Sequence, residues 1–257
     1  MELNGKKVVL TGASSGIGLE LLKLLLEKGC TVVACARHVE KIGLSSENLF
    51  LKTCDVSQKE ELDELFAFAL EKLGAIDLFI ANAGFAYYEK IEDPNWARAH
   101  AIFDTNVLGM VYSAEKMKAL HGSEPYNFVV TASAMGLLSL PGYSLYSSTK
   151  AAIRGFADAY RYELEAGQHF EVVYPIATKT RFFHNAGDGT PVPWPTQKAE
   201  TVARKIVTGI EHDKKRIFPS AAFALANTAN RFLPFLFPIY VSINNRAFRS
   251  WLQRKEK

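Results

Sequence analysis

The sequence predicts a doubly wound α/β domain, in which helices cover both faces of one parallel sheet. Over the first two thirds of the 257 residues, short apolar runs alternate with longer segments of helical periodicity. This alternation is typical of repeated β–α–β units. With 48% hydrophobic residues the chain can bury a sizeable core, and no repeat, low-complexity tract or linker marks a boundary. We therefore expect residues 1–257 to form a single domain.

The predicted elements follow one another in a regular order. Residues 8–10 are expected in the first buried strand, and the helix after it has a polar face of Glu20, Lys23 and Glu27. Gly29 is a natural end for that helix. The later predicted strands are residues 31–37, 49–56, 76–84, 127–134 and 170–175, and the later predicted helices are residues 58–74, 96–120 and 146–165.

The bulk composition argues against several classes of protein. A formal charge of +3 is too small to favour nucleic acid as a partner, so a small-molecule substrate is expected. Cys30, Cys35 and Cys54 lie in apolar segments without C-x-x-C spacing, which predicts buried thiols and neither disulfides nor a metal site. No signal-peptide pattern and no run of about 18 apolar residues is evident. We expect a cytoplasmic chain.

A glycine-rich turn follows the first predicted strand and opens the first helix. In "TGASSGIG" the glycines let the backbone approach a pyrophosphate closely, and the helix N-terminus offers free N–H groups. The strand before and the helix after supply the context that a Rossmann-like dinucleotide site requires. A glycine-rich turn without a ligand is the alternative. The residues expected to contact the cofactor are Gly12, Ser14, Ser15, Gly16, Ile17 and Gly18.

The end of the second predicted strand favours NADP over NAD. An acidic residue at this position would bind the ribose hydroxyls of NAD, but "ACAR" places Arg37 there, which suits a 2′-phosphate. Alternatively, Arg37 is only a solvated charge. Asp55, at the end of the third strand, could accept a hydrogen bond from the adenine amino group or could cap the next helix.

The stretch "PGYSLYSSTKAA" contains a candidate acid–base pair. Tyr146 and Lys150 are four residues apart and share one face of a helix, whereas Tyr143 is expected to precede that helix. A free tyrosine has a pKa of about 10 and is a poor proton donor or acceptor near neutrality. A neighbouring lysine cation is expected to lower the pKa of Tyr146.

Five motifs in order carry a family resemblance. They are "TGASSGIG" (11–18), "ANAG" (81–84), "TNVLG" (105–109), "TAS" (131–133) and "YSSTK" (146–150). Across about residues 5–180 the chain resembles the short-chain dehydrogenase/reductases. Ser133 lies thirteen residues before Tyr146, as the catalytic serine of that family does.

The resemblance implies roles for four catalytic residues. Tyr146 would give its proton to a substrate carbonyl oxygen, or remove a hydroxyl proton in the reverse direction. Ser133 would hydrogen-bond the same oxygen, and Lys150 would hold the nicotinamide ribose. Asn106 would anchor a water that links the lysine to solvent. Tyr143 is a candidate wall of the substrate pocket.

The resemblance also implies further cofactor contacts and a quaternary structure. Asn82, Ala83 and Gly84 would line the adenosine side of the groove. The family commonly places a glycine after the proline that is here Pro175, but this chain has Ile176, so the loop could take a different path; Thr180 keeps the expected offset. A homodimer or homotetramer would pair through the helices near residues 96–120 and 146–165.

Two C-terminal segments carry no motif. Residues 184–197 contain glycines and three prolines, which predict an irregular substrate loop. A helix is expected around Val202, Ile206 and Ile210.

Residues 218–257 form an aromatic and basic extension. It could be a cap that walls an apolar substrate pocket or a subunit interface, or residues 221–257 could lie on a membrane surface with Arg246, Arg249, Arg254 and Lys255 toward anionic head groups.

The expected function is hydride transfer between NADP(H) and a carbonyl or hydroxyl substrate. The aromatic content of the C-terminal extension favours an apolar ketone or aldehyde. The alternative class is a non-catalytic dinucleotide-binding or membrane-associated regulatory module. A third possibility is a dehydratase or epimerase of related fold, which would use the same residues but yield a different product.

Overall fold

Seven parallel strands form the central sheet, in a computed structural model that describes residues 1–255. Their bounds are β1 Lys7–Thr11, β2 Thr31–Ala36, β3 Leu49–Thr53, β4 Leu78–Ala81, β5 Tyr126–Thr131, β6 Gln168–Val173 and β9 Arg216–Ile217. The spatial order is β3-β2-β1-β4-β5-β6-β9. The chain therefore reverses direction across the sheet between β1 and β4, and this confirms the predicted doubly wound fold. In such sheets the crevice at the switch point is where ligands bind.

Helices cover both faces of this sheet. Their bounds are α1 Gly16–Glu27, α2 Lys59–Leu73, α3 Trp96–Phe103, α4 Gly109–His121, α5 Ser144–Tyr160, α6 Phe182–Ala186, α7 Ala199–Glu211, α8 Ala221–Ala229 and α9 Leu236–Lys255. Helices α1 and α7 pack on one face, where Leu21 and Ile206 are fully buried. Helices α2, α4 and α5 contribute to the core on the other face.

Alternate side chains of the strands serve the two faces. Val8 and Leu10 join the core beside α1, whereas Val9 joins the core beside α2. On that second side, Phe79 of β4 and Phe128 of β5 stack with ring centroids 5.2 Å apart. Because the central strands are buried on both faces, they read as continuous apolar runs in the sequence.

The helix predicted for residues 96–120 contains a π-helical turn. Asn95 caps α3, since its side chain accepts a hydrogen bond from the Arg98 N–H at 2.9 Å. Residues Asp104–Leu108 are π-helical and lead without a break into α4. A Cβ on Gly109 would overlap the carbonyl oxygen of Val56, so glycine allows this helix to approach the loop after β3.

Two predicted boundaries need correction. The helix expected at 146–165 begins at Ser144 and ends at Tyr160, before a 3-10 turn. Residues 184–197, expected to be irregular throughout, begin inside α6 and end in a two-residue strand, β8 Gln197–Lys198. Strand β8 pairs with β7, Thr178–Lys179, outside the main sheet. This pairing brings the two ends of the intervening loop together.

The C-terminal extension forms two helices, α8 and α9. The inner side of α9 packs against a third cluster of buried side chains, where Trp251 is 3% exposed. Pro238 lies in the first turn of α9, where a backbone N–H has no helical partner to lose. Within residues 1–255 no helix combines the length and hydropathy needed to cross a bilayer. The three cysteines are buried and free, as predicted.

Candidate active site

One cavity of about 960 Å³ lies along the carboxyl ends of the strands. Its wall runs from Arg37 and Asp55 at one end, past Gly12 and Gly16, to Tyr146 and Lys150 at the other. The cavity therefore follows the crevice at the β1–β4 switch point. Its elongated lining brings together most of the residues that the sequence motifs singled out.

The glycine-rich turn fits closely between β1 and α1. Gly12 and Gly16 have left-handed backbones, with φ of 67° and 57°. A Cβ on Gly12 would lie 2.8 Å from the Cα of Ala83, and a Cβ on Gly18 would overlap the carbonyl oxygen of Gly12. Ser14, Ser15, Gly16 and Ile17 line the cavity with Gly12, whereas Gly18 lies beneath the turn. Only glycine fits these positions without moving the backbone.

Asn82, Ala83 and Gly84 line the cavity after β4, and a threonine network fixes the first two. The Thr11 hydroxyl accepts hydrogen bonds from the N–H groups of Asn82 at 3.0 Å and Ala83 at 3.1 Å. The Asn82 amide donates to the carbonyl oxygen of Thr11 at 3.3 Å and accepts from the Thr131 hydroxyl at 3.1 Å. The network ties together the ends of β1, β4 and β5. The sequence motifs included Thr11 and Thr131 but assigned neither a role; the structure places them at the ends of β1 and β5.

The other end of the cavity carries Arg37, His38 and Asp55. Arg37 is exposed, and His38, which the sequence analysis did not consider, lies 3.2 Å from Glu40. Asp55 accepts from the N–H of Ser57 at 3.0 Å and from its hydroxyl at 2.8 Å. Since Gln58 is the N-cap of α2, Asp55 forms a turn before the helix and does not cap it. The capping alternative is therefore wrong.

Ser133 and Tyr146 face each other across the inner end of the cavity. Ser133 follows β5, and its hydroxyl accepts a hydrogen bond from the Met135 N–H at 3.1 Å. Tyr146 lies in the first turn of α5 and is 6% exposed. Burial raises the pKa of Tyr146 to about 12, and a hydrogen bond with Ser133 partly offsets that rise.

Lys150 does not lower the pKa of Tyr146 in the chain alone, and that prediction is wrong. Its ammonium donates to the carbonyl oxygen of Thr131 at 2.8 Å and lies 5.5 Å from the centroid of the Tyr146 ring. Lys150 is almost fully buried, and desolvation lowers its pKa from 10.5 to about 7. Near neutral pH the lysine is therefore only partly charged, so its electrostatic effect on the phenol is weak.

Asn106 uses its side chain to hold backbone and a threonine. Its Oδ1 accepts from the Phe85 N–H at 3.0 Å, and its Nδ2 donates to the Phe85 carbonyl at 2.9 Å and to the Thr149 hydroxyl at 3.1 Å. The side chain lies beside Lys150, because both would contact a Cβ placed on Gly84. Asn106 thus links the segment after β4 to α5. Both hydrogens of its amide are already donated, so only Oδ1 is left to bind the predicted water.

Tyr143 lies behind Tyr146 and does not belong to the cavity wall formed by the described residues. It is 1% exposed, and its ring centroid lies 4.7 Å from that of Tyr88 and 6.2 Å from that of Tyr146. Its hydroxyl has no hydrogen-bond partner within residues 1–255. The prediction that Tyr143 walls the substrate pocket is therefore wrong, because Tyr88 and Phe183 cover it.

The nicotinamide side expected from the motifs is lined by Ile176 and Thr180. The Thr180 hydroxyl accepts from the Phe182 N–H at 3.2 Å, and its methyl group would lie 3.0 Å from a Cβ on Gly16. The backbone of Ile176 has no positive φ. The loop after β6 therefore reaches the glycine turn without the glycine that the family commonly has.

The inner end of the cavity is mostly apolar. The residues that line it there, and that the sequence analysis missed, are Phe85, Tyr87, Met135, Phe182 and Phe183, together with the polar His100. Of the described residues 184–197, Asn185 alone lines the cavity. Within the predicted substrate loop, only the C-terminal part of α6 therefore reaches the cavity.

The C-terminal extension lies behind this wall. No residue from 218 to 255 lines the cavity, so the extension does not wall the pocket as expected. It holds the loop instead: Trp251 Nε1 donates to the carbonyl oxygen of Asp188 at 3.1 Å, and the Tyr240 hydroxyl donates to that of Trp194 at 2.7 Å. The Trp251 ring also packs edge-on against Tyr88, with centroids 4.8 Å apart.

Comparison with known proteins identifies the family. The family model of short chain dehydrogenases matches residues 6–190. The chain belongs to the short-chain dehydrogenase family. An uncharacterized oxidoreductase of Listeria monocytogenes, Lmo0432, is a 30% identical relative over 203 residues, which cover 73% of this chain and 80% of the relative.

Solved structures of short-chain dehydrogenases share the fold. The structure of one such enzyme from Burkholderia phymatum in complex with NAD has a TM-score of 0.79 at 21% identity and covers 91% of this chain and 96% of that one. An alcohol dehydrogenase from Thermococcus sibiricus complexed with 5-hydroxy-NADP has a TM-score of 0.73 at 26% identity, covering 84% and 96%. The seven-stranded sheet is thus the fold of a short-chain dehydrogenase.

Proposed function

We propose that this short-chain dehydrogenase is an NADP-dependent enzyme that interconverts an apolar ketone or aldehyde and its alcohol. The observation that carries the proposal is the pairing of Ser133 with Tyr146 at one end of a cavity whose middle is the glycine turn. A phenol and a hydroxyl that meet beside an apolar wall can hold one carbonyl oxygen between them.

The residues along the cavity fit a nicotinamide dinucleotide. Gly12 and Gly16 leave open the space that a side chain would fill, and the N-terminus of α1 supplies free N–H groups for a pyrophosphate. Ala83 and Gly84 would bind the part of the cofactor beyond the turn, and Thr180 would hold its nicotinamide end. When bound, such a cofactor supplies or accepts the hydride. The complexes of the relatives with NAD and with a modified NADP support this assignment.

Proton transfer would belong to Tyr146. Its hydroxyl would give a proton to the carbonyl oxygen as the carbon receives the hydride, so that the C=O bond becomes an alcohol. In the reverse direction the same oxygen would accept the proton of the alcohol. Ser133 would hold the substrate oxygen, and the high pKa of the buried phenol keeps Tyr146 protonated near neutral pH, the form that reduction of a carbonyl requires. Lys150, with a pKa of about 7, can take or release a proton close behind it.

Arg37 supports NADP over NAD. The guanidinium lines the cavity beyond the glycine turn, where His38 is a second group that can be cationic. A charge-assisted hydrogen bond to a 2′-phosphate contributes roughly 1.5–3 kcal/mol. We expect Arg37→Ser to lower the ratio of kcat/KM for NADPH to that for NADH by about 10- to 100-fold. Lys41→Ser, an exposed neighbour outside the cavity, is the control, and an unchanged ratio in Arg37→Ser would refute the preference.

The substrate class follows from the inner wall of the cavity. Phe85, Met135, Phe182 and Phe183 favour an apolar group next to the carbonyl carbon. His100 is a polar group on the same wall and could hold one further polar atom of the substrate.

Replacement of the phenol tests the proposed chemistry. Tyr146→Phe should lower kcat by at least about 10²-fold, because it removes the proton donor and keeps the ring. Cofactor affinity, measured by quenching of protein fluorescence with NADPH, should change little. The assay is NADPH oxidation across a panel of aromatic and aliphatic ketones and aldehydes. Tyr162→Phe, which changes a 93% exposed tyrosine, is the matched control. Turnover by Tyr146→Phe at the wild-type rate would refute the assignment.

A further inference from the structure

The turn between α8 and α9 exposes a group of large apolar side chains. We define the C-terminal apolar face as the set Leu225, Phe232, Leu233, Phe235, Ile239 and Ile243, which are 46% to 80% exposed. Scattered exposed apolar residues are ordinary, but six within a stretch of 19 residues are a concentration typical of an interaction site. The face therefore needs a partner that covers it.

The two sides of α9 explain why these side chains stay outside. The side that carries Tyr240, Phe248 and Trp251 packs on the cluster beside the substrate loop. Ile239 and Ile243 are one turn apart on the outward side, and Arg246 follows on that same side. The helix is thus already held by one face, and its second apolar stripe contributes nothing to the core.

The charge of this region differs from that of the rest of the chain. Residues 221–257 contain six of the 30 lysines and arginines but one of the 27 acidic residues, which gives this segment +5 and leaves residues 1–220 with −2. Arg231 lies next to Phe232, and Arg246 and Arg249 lie on exposed positions of α9. Apolar side chains bordered by arginines, without a carboxylate in residues 221–255, match an apolar surface that carries negative charge.

We propose that the C-terminal apolar face docks the protein on the surface of an anionic lipid bilayer. Phe232 and Phe235 enter the interface between head groups and acyl chains, and the three arginines contact the head-group phosphates. Trp194, which is 80% exposed, is a further exposed aromatic residue, and its carbonyl is held by Tyr240 of α9. Attachment is peripheral, since it uses one face of two helices.

A second copy of the chain fits this face less well. A two-fold contact would bring the same patch of both subunits together, so the arginines of one copy would face a patch that carries the same arginines. Like charges in such a contact are repulsive, and this segment has no acidic side chain within residues 221–255 to compensate for them. The charge pattern therefore favours an acidic lipid surface over self-association.

Vesicle flotation of the full chain tests the proposal. The probes are vesicles of phosphatidylcholine alone and of phosphatidylcholine with phosphatidylglycerol. The wild-type protein should float with the anionic vesicles, and its bound fraction should fall as salt is raised. Phe232→Asp/Phe235→Asp should lower the partition coefficient by at least about tenfold. Arg246→Glu/Arg249→Glu should lower it by at least about tenfold on anionic vesicles and much less on phosphatidylcholine.

Matched controls separate binding from folding and from total charge. Arg204→Glu/Lys205→Glu changes two exposed basic residues of α7 and alters the net charge equally, so it should bind like wild type. All variants should keep the thermal midpoint of the wild-type protein, because the changed side chains are exposed.

Three results would overturn the proposal: wild-type protein that does not float with anionic vesicles, equal loss of binding in the α7 control, or full binding by Phe232→Asp/Phe235→Asp. Sedimentation without lipid measures self-association. If the wild-type protein self-associates, the double variant does not, and vesicle binding is absent, the face belongs to a second copy and the proposal is overturned.

Discussion

Tyr146 and Lys150 are buried together, and burial moves their pKa values in opposite directions. The pKa of the phenol rises to about 12 and that of the ammonium falls to about 7, since each group favours its neutral form when water is removed. The four-residue spacing in the sequence predicted that they share a helix face. It could not predict that Lys150 donates to the carbonyl of Thr131, a partner 19 residues away.

Another buried ionisable side chain, Glu171 in β6, makes stability depend on pH. It is fully buried, accepts from Asn127 at 2.8 Å, and leaves one carboxyl oxygen without a hydrogen-bond partner within the described chain. Burial raises its pKa from 4.5 to about 8. Between these values the unfolded chain releases the proton and the folded chain keeps it, so stability falls as pH rises from about 4.5 to about 8.

Glu171→Gln should remove this loss. At pH 9 we expect the variant to melt roughly 5 °C or more above wild type, because it buries no charge. At pH 4.5 the two proteins should melt at similar temperatures. Glu165→Gln, an exposed carboxylate near the start of the same strand, is the control. A Glu171→Gln midpoint that tracks wild type across this pH range would show that the carboxyl group does not titrate on unfolding.

Among the elements, the turn between β1 and α1 and helix α5 use glycine for different reasons. Gly18 lies against the carbonyl oxygen of Gly12 and the Asn82 amide, so a methyl group there has no room. Gly155, in the interior of α5, has no heavy atom within 4 Å of an added Cβ. The first glycine is required by packing, whereas the second only lowers helix propensity.

Paired alanine substitutions should therefore have opposite effects. Gly18→Ala should destabilise the protein by roughly 1–3 kcal/mol and weaken NADPH binding, because the turn must shift. Gly155→Ala should stabilise it by roughly 0.5–1 kcal/mol with unchanged cofactor affinity. Urea unfolding and cofactor titration measure both effects. Tolerance of Gly18→Ala without loss of either quantity would contradict the tight turn.

Sequence periodicity predicted most elements, but not the irregular ones. Apolar strands between turn residues are visible as short runs, so strands β2, β3 and β4 lie inside the predicted segments, and β1, β5 and β6 begin one or two residues before theirs. The π-helical turn at Asp104–Leu108 left no such signal, and Asn106 within it bonds to Phe85 and Thr149, which are distant in the sequence. The exact start of α9 was also hidden, because Pro238 could either end a helix or lie in its first turn.

At the scale of the whole molecule, aromatic contacts connect the end of the cavity that holds Tyr146 to the C-terminal helix. Tyr146, Tyr143, Tyr88 and Trp251 follow one another with ring centroids 4.7 to 6.2 Å apart. These side chains come from three distant parts of the sequence. Because such long-range contacts are not visible in the sequence, the sequence alone placed Tyr143 in the pocket wall and the C-terminal aromatics beside the substrate. The paired subunit assembly stays a prediction.

Trp251 should be the most costly residue of α9 to remove. We expect Trp251→Ala to lower the free energy of unfolding by roughly 3–5 kcal/mol, because it leaves a cavity beside Tyr88 and Phe248. Trp251→Phe keeps an aromatic ring but loses the hydrogen bond to the carbonyl of Asp188. The loss of that hydrogen bond should by itself lower the free energy of unfolding by about 1 kcal/mol. Phe232→Ala, which truncates an exposed side chain on the same segment, should change stability by less than about 0.5 kcal/mol. Equal urea midpoints for the two alanine variants would contradict this account.

The way in which the loop of residues 184–197 is held bears on how the cavity wall can change. Trp251 and Tyr240 hold the loop through the backbone carbonyls of Asp188 and Trp194, and the N–H of Tyr88 binds the carbonyl of Ala186. None of these contacts depends on which side chains the loop carries. Evolution, or a designer, can therefore exchange Asn185, the side chain of this loop that lines the cavity, to suit a new substrate while the anchors of the loop stay intact.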